Sequence, residues 1–367
     1  MSQTFKLKDE QDLAGFVQER VDPVFITGGQ TRGVDLKHDN VDMTGLSGVV
    51  DYEPGALTMV AKAGTSLHHI EEVLKAEGQQ LAFEPTILNN ALGTSGASTI
   101  GGVFATNASG PRRIQAGAAR DFLLGVRYVD GRGNVIKNGG RVMKNVTGYD
   151  IVKLMAGSWG TLGLLSEVSF KVLPMPVAQA TLVISGINAD LAVDVITAAL
   201  DTAFDANGVA YDIAAQRAYV RLEGFEQSVK YRTKSLMNTL AVDRDIAVLE
   251  NDDSAAAWSN IRMLSAISNQ RGDLWKISVR PTDGPQIVQK LGLASGIMDW
   301  SGGLIWAKLD AGKTARDVLG DIPGHAINLS AKTGLKFSNT NPALTHLQSA
   351  IREKFDPKGI FNPGLMG

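Results

Sequence analysis

Two stretches decide how this chain reads: LGTSGASTIGGVFATNASGPRR, Leu92 to Arg113, and KNVTGYDIVKLMAGSWGTLG, Lys144 to Gly163. Both are dense in glycine and small hydroxyl residues, and an ordinary strand pair separates them. Such residues build no core. They let a backbone come close to a ligand and present N–H groups to it. A long ligand with phosphates and a flat ring suits that surface.

A third glycine turn lies upstream. Pro23–Thr27 (PVFIT) reads as a buried strand that ends in Gly28-Gly29. The N–H groups of Thr27-Gly28-Gly29-Gln30-Thr31-Arg32-Gly33 can hold a pyrophosphate, with the Thr27 and Thr31 hydroxyls as further donors. A tight turn between strands has the same composition. The run is neither G-x-G-x-x-G nor G-x-x-x-x-G-K-[ST]. The longer loop from Thr99-Ile100-Gly101-Gly102 to Asn107-Ala108-Ser109-Gly110 carries no charge, which suits a segment wrapped around a ligand. Pro111-Arg112-Arg113 then adds two cations, either for a phosphate or substrate carboxylate or as a solvated surface pair.

Around these turns the periodicity predicts strands at 48–52 and 57–63 joined at Glu53-Pro54-Gly55. A helix follows, with Leu67, Ile70, Val73 and Leu74 on one face and Gly78 as its stop. A hairpin spans 120–130 and 134–137. A short helix from Thr147 or Asp150 places Ile151, Leu154 and Met155 on one face. Leu164 to Val172 alternates as a half-buried strand. Leu173-Pro174-Met175-Pro176 breaks the chain and places a domain boundary. Beyond it, β-α-β-β-α-β occurs twice, at 181–250 and 274–330, around a helical insert at 254–268. This predicts two ferredoxin-like units in one antiparallel sheet. The ending FDPKGIFNPGLMG is too rich in Pro and Gly for a helix and is expected to fold back onto the first domain.

With 367 residues, 44% apolar and 20% charged, the chain can bury a large core. The net charge of −2 argues against a nucleic-acid or anionic-membrane surface. Cysteine is absent, which excludes disulfides, thiol catalysis and a cysteine-ligated iron–sulfur cluster on this chain. No apolar signal core and no 18-residue apolar run are visible, so the expectation is a cytoplasmic protein with no direct membrane span. Peripheral placement at the inner membrane through partner subunits stays open. The five histidines are scattered, so no metal site is expected. His68 and His69, adjacent on a helix, read as exposed. Lys144, Tyr149, Trp159, Arg280 and Lys336 are candidates to line a cavity.

In the order strand–GGQT, STIGGVFATNASG, KNVTGYD, GSWGTLGLLSEVSFKV and FDPKGIFNPG, these segments resemble the FAD-binding domain of the vanillyl-alcohol oxidase and p-cresol methylhydroxylase (PCMH) type. Within that family the chain is similar to FAD-linked glycolate and D-lactate dehydrogenases, and above all to the FAD-binding subunits of bacterial glycolate oxidase complexes. The resemblance covers essentially the whole chain. It implies an α+β architecture: a two-subdomain PCMH-type FAD-binding domain at 1–173, a ferredoxin-like antiparallel-sheet cap at 174–340, and a tail at 341–367 returning to the FAD domain.

It also implies roles. Thr27, Gly28, Gly29, Gln30, Thr31 and Arg32 would hold the FAD pyrophosphate. Thr94, Ser95, Gly96, Thr99, Gly101 and Gly102, with Ala105, Ser109 and Gly110, would line the remaining diphosphate and the isoalloxazine side. Gly163, Leu164 and Leu165 would offer backbone near the adenine end or ring, and Asn362 would approach from the tail. Relatives with covalent flavin often carry His in the glycine turn. Gln30-Thr31 stands here, so FAD is expected to be non-covalent. Relatives that oxidise hydroxy acids alone carry a motif resembling H-x-G-D-G-N-x-H. The nearest stretch here is Pro323-Gly324-His325-Ala326-Ile327-Asn328-Leu329, and one histidine does not make that two-histidine metal site.

The implied function is that of an FAD-binding subunit in a complex that oxidises glycolate to glyoxylate. Its partners would be a catalytic FAD-linked glycolate oxidase subunit and an iron–sulfur subunit, with a small hydroxy acid as substrate. Two alternatives stand beside it. An autonomous FAD-dependent D-2-hydroxy-acid (D-lactate or glycolate) dehydrogenase would use Arg112, Arg113 or Arg280 on the carboxylate and His325 as proton acceptor. A flavin-stabilised scaffold would dock other subunits without catalysis. UDP-sugar enolpyruvate reduction fits the cap and tail less well.

Overall fold

The computed structural model describes residues 2–34, 36–141, 148–240, 245–330, 337 and 341–366. Lys144 and most of the KNVTGYD motif, with Thr147, lie outside the described residues, as does Lys336.

The first small sheet is parallel: β1 (Thr4–Lys6), β2 (Val24–Thr27) and β3 (Asp39–Asp42) lie in the order β1-β3-β2. A five-stranded antiparallel sheet follows from β4 (Val49–Glu53), β5 (Thr58–Lys62), β7 (Leu123–Val129), β8 (Val135–Gly139) and β9 (Leu164–Lys171), ordered β4-β5-β9-β7-β8; between β5 and β7 the two residues Gln79–Gln80 form β6. In β9 the expected alternation holds. Val168 and Phe170 are buried while Glu167, Ser169 and Lys171 are partly open. Ser66 caps the helix Leu67–Ala76 by accepting from the His69 N–H at 3.1 Å, and Ile70 and Leu74 bury their side chains against the sheet's core with Phe104 and Phe170. His68 and His69 are exposed.

Two local expectations change. The hairpin strand begins at Leu123, because Ala119–Phe122 forms a helical turn closed by the Asp121 carboxylate accepting from the Ala118 N–H at 2.8 Å. In the helix Ile151–Met155, Val152 and Met155 are buried and Leu154 faces out.

After β10 (Leu173–Pro174), which pairs with β6, the chain enters one eight-stranded sheet. Its strands are β11 (Ala178–Ser185), β12 (Gly208–Asp212), β13 (Arg217–Gly224), β14 (Asp245–Glu250), β15 (Asp273–Val279), β16 (Ile297–Asp299), β17 (Leu304–Leu309) and β18 (Gly324–Asn328). The order is β14-β11-β13-β12-β16-β17-β15-β18, and every pairing is antiparallel. Each half therefore has ferredoxin-like order 4-1-3-2, and the halves join through their second strands.

Alternation along the strands gives this sheet two apolar faces. Tyr211, Ile277, Ile305 and Ala326 pack under the helices Ala189–Leu200, Glu226–Leu240, Gly284–Leu291 and Ala315–Leu319. Ala210, Leu274, Trp306 and Ile327 look the other way. They meet Trp258 and Ile261 of the helix Asn251–Arg262, and Leu88 and Ala91 from the N-terminal half. The second face is thus where the eight-stranded sheet meets the glycine turns.

The C-terminal segment does return. Phe361 bridges Val24 in parallel beside β2, and the Val24 and Asn362 N–H groups donate to the Ile360 and Val24 carbonyls. It is preceded by a helix, Pro342–Phe355, that periodicity did not announce, capped by Asn341. Among the described residues no helix is long and apolar enough to cross a membrane.

Candidate functional site

A cleft of ≈ 850 Å³ of empty space, partly open to solvent, runs between the glycine turns and the returning tail. Of the sequence-derived site residues, the fold brings Thr27, Gly28, Gly29, Gln30, Thr31, Arg32, Thr99, Gly101, Gly102, Ala105, Gly163, Leu165 and Asn362 to its wall.

The turn after β2 is built by backbone contact. A Cβ on Gly29 would overlap the Ala97 carbonyl oxygen, and one on Gly96 would overlap the Gly29 carbonyl oxygen. The two turns lie flat against each other because neither residue has a side chain. Gln30 takes a left-handed φ of 53°. The N–H groups of Gly29, Gln30, Thr31 and Arg32 donate to no acceptor among the described residues. Consecutive free N–H groups in such a turn suit an anionic oxygen. The hydroxyls read as extra donors are engaged locally: Thr27 Oγ1 donates to Asn40 Oδ1 at 2.6 Å, and Thr31 Oγ1 shares a hydrogen with Ser98 Oγ at 2.9 Å.

Six sequence-derived positions do not reach the cleft wall. Ser109 is buried, with Oγ accepting from the Ala119 N–H at 2.9 Å. Gly110 is spent on Phe83 through its N–H and on Trp300 through its carbonyl. Leu164 is fully buried in the core with Leu13 and Val129, since the strand's alternation turns it away while Leu165 faces the cleft. Gly96 supports the turn from behind. Thr94 donates its N–H to the Asn89 carbonyl, and Ser95 is exposed. Conversely, Met43, Val103, Trp159, Gly160 and Leu365 line the cleft. Trp159 was named as a cavity candidate, Val103 and Gly160 lie in the two glycine-rich stretches and Leu365 in the returning tail, while Met43 gave no signal beyond apolarity. Tyr149 is 89% exposed and stands away from this wall.

The catalytic candidates fare differently. Arg112 is buried, not a solvated surface cation. Its Nε and Nη2 bind both oxygens of Glu223, and Nη1 donates to Gln80 Oε1 at 2.8 Å. With Arg221, which donates to both oxygens of Glu84 at 3.0 and 2.9 Å, it forms a closed ionic network between the halves. Its charge is neutralised there. Arg280 is exposed and paired with Asp283 at 2.7 Å. His325, an exposed residue on β18 opposite Ser278, has its pKa lowered by partial burial and by Lys276 and Arg113. No cluster of metal-ligating side chains occurs among the described residues.

Sequence reading overlooked Lys276 and Asp299 altogether. Burial, then Arg113 and Arg32, lowers the Lys276 pKa to about 8. Burial raises that of Asp299 to about 7 against the pull of the Trp300 N–H, which donates to its Oδ1 at 2.7 Å. Neither residue sits in a motif.

Known proteins resemble this chain in sequence and in fold. The family described as FAD binding domain matches residues 4–139. The glycolate oxidase subunit GlcE of Escherichia coli is 33% identical over 353 residues, covering 94% of this chain and 92% of that protein. The glycolate oxidase subunit GlcD of Bacillus subtilis is 38% identical over 100 residues, covering 27% of this chain and 21% of its own. Among solved structures, an alkyldihydroxyacetonephosphate synthase superposes with a TM-score of 0.70 at 15% identity, over 98% of this chain and 76% of that one. That likeness establishes a shared fold.

Proposed function

The chain belongs to the family of the glycolate oxidase subunit GlcE and binds FAD, and from that premise we propose that it serves as the FAD-binding subunit of a glycolate oxidase complex, taking part in the oxidation of glycolate to glyoxylate. The observation that carries the reading is the meeting in one cleft of the Thr27–Arg32 turn, the Thr99–Ala105 segment, Gly163 and Asn362. The free N–H groups of Gly29 to Arg32 suit the diphosphate, and the wall of Val103, Trp159, Leu165 and Leu365 suits a flat ring. When bound, FAD supplies the two-electron acceptor. The chain's own part is to bind it without a covalent bond, orient it and keep water from its face.

In this reading residues 1–173 form the FAD-binding domain, 174–340 the cap and 341–367 the returning tail. The partners are a catalytic FAD-linked subunit and an iron–sulfur subunit. The absence of cysteine here supports placing the cluster on another chain. The complex is placed in the cytoplasm or on the inner membrane through those partners.

The test is an absorbance spectrum of the purified full chain after addition of FAD and gel filtration, then glycolate-dependent dye reduction after mixing with the partner subunits. Retained flavin and activity that requires this chain are expected. A chain that holds no flavin, or a complex equally active without it, overturns the proposal.

A further inference from the structure

Trp300 gathers cations on the sheet face that looks toward the glycine turns. Its indole N–H donates to the Gly110 carbonyl at 3.0 Å, which holds the ring at the junction. The Arg113 guanidinium carbon lies 4.0 Å from the ring centroid, and the Lys276 ammonium lies 5.2 Å from it and 5.7 Å from the Trp306 ring. Arg32, on the cleft wall, donates Nη1 to the Thr86 carbonyl at 3.0 Å and leaves Nη2 buried without a partner among the described residues.

None of these three cations has a carboxylate within ion-pair distance among the described residues. Asp299 acts on both Arg113 and Lys276, but its carboxyl accepts from the Trp300 N–H, and its burial makes it a weak counterion near neutral pH. Structural charges in such a place are ordinarily matched with acids. Arg112 and Arg221 show that solution in this same molecule, with Glu84 and Glu223. Arg32 lines the cleft, and an unmatched set of buried cations that includes it suits an anion as its counter-charge.

We infer that Arg32, Arg113 and Lys276 bind the carboxylate of a small hydroxy acid, with the Trp300 and Trp306 rings as the apolar wall. The guanidiniums supply forked donors and the ammonium a point charge. The inference rests on the FAD reading for its meaning, since Arg32 also lines the cofactor cleft, but the binding site is made of this chain's own side chains.

Calorimetric titration of the full chain, with and without FAD, using glycolate and its neutral analogue glycolamide, tests it. Glycolate is expected to bind at least tenfold more tightly than glycolamide in both forms. Lys276→Met and Arg113→Gln are each expected to weaken glycolate at least tenfold at unchanged flavin content, and Lys276→Arg to recover most of the loss. The wild-type comparison needs no variant to fold. Equal binding of acid and amide, no glycolate binding, or unchanged affinity in both charge-removing variants overturns the inference whatever the flavin content. Loss of flavin with the acid preference intact overturns the cofactor reading alone.

Discussion

The Ile26 N–H donates to the Asn362 side-chain oxygen at 2.8 Å across 336 positions of sequence. The same carboxamide donates to the Trp159 carbonyl at 2.8 Å. One side chain, 2% exposed and at a left-handed φ of 46°, therefore holds the strand before the first glycine turn, the Trp159-Gly160 turn and the tail in one place. All three segments line the cleft.

Replacing that carboxamide by an isosteric apolar group leaves two backbone groups without partners. Asn362→Leu should cost about 2–4 kcal/mol from two buried unsatisfied groups and lower FAD affinity at least tenfold. Thermal melting and fluorescence of released flavin measure the two effects. A variant with wild-type melting and full flavin would show that the tail does not hold the cleft.

Neighbouring glycines should behave differently. The segment read as a loop from Thr99 begins as a short helix, Ile100–Ala105, capped by Thr99. A Cβ on its Gly101 would lie 2.6 Å from the Ala63 Cβ and 2.7 Å from the Ala63 carbonyl oxygen, so Gly101→Val forces this helix away from the chain just after β5 and should destabilise the fold. A Cβ on Gly102, which lines the cleft, meets only Thr99 Oγ1, at 3.1 Å, outside its own helix backbone. Gly102→Val should melt within a few degrees of wild type and still lose FAD. Urea unfolding beside flavin content separates the cases; a flavin-loaded Gly102→Val would remove this position from the site.

Acid should open the junction between the halves. Burial alone would raise the Glu84 pKa, but Arg221 and Arg112 outweigh it and hold it at about 2. A carboxylate whose folded pKa lies below its ordinary 4.5 contributes stability that is complete above 4.5 and lost as pH falls toward about 2. Glu84→Gln should flatten the pH dependence in that window and destabilise the protein at pH 7 by about 3 kcal/mol, the cost of stranding buried arginines. Equilibrium unfolding from pH 2 to 7 checks both; an unchanged slope in the variant counts against the network.

Lys276 should titrate in the accessible range. Its folded pKa of about 8 lies below the ordinary 10.5, so the folded state gains stability as pH rises from about 8 to 10.5. Below 8 the charged amine is a cost, and Lys276→Met should raise Tm by about 2 °C for about 1 kcal/mol. Over the same range the wild type's glycolate affinity should fall as the ammonium loses its proton, and this decline should vanish in Lys276→Met. A Tm that drops in the variant would mean the ammonium has a structural partner.

Much of the scaffold was legible because its signals are local. The alternation of β9, the Ser66 cap and the repeated β-α-β-β-α-β order depend on residues a few positions apart. The helix Pro342–Phe355 was missed because it buries none of its residues, so no apolar stripe marks it. The glycine turns were found from composition, but composition did not separate Leu165, on the cleft, from Leu164, in the core.

Sequence alone determined the kind of surface this chain offers: uncharged glycine turns after short strands, no cysteine, and two like-built units sharing one sheet. Tertiary structure decided which charges are free. Arg112 and Arg113 are neighbours with the same side chain. The first is neutralised by Glu223, 111 positions away, while the second stacks on Trp300 with no carboxylate in ion-pair reach among the described residues. Backbone preference is carried by adjacent residues, whereas a charge's partner is whichever remote group the fold brings within a few ångströms.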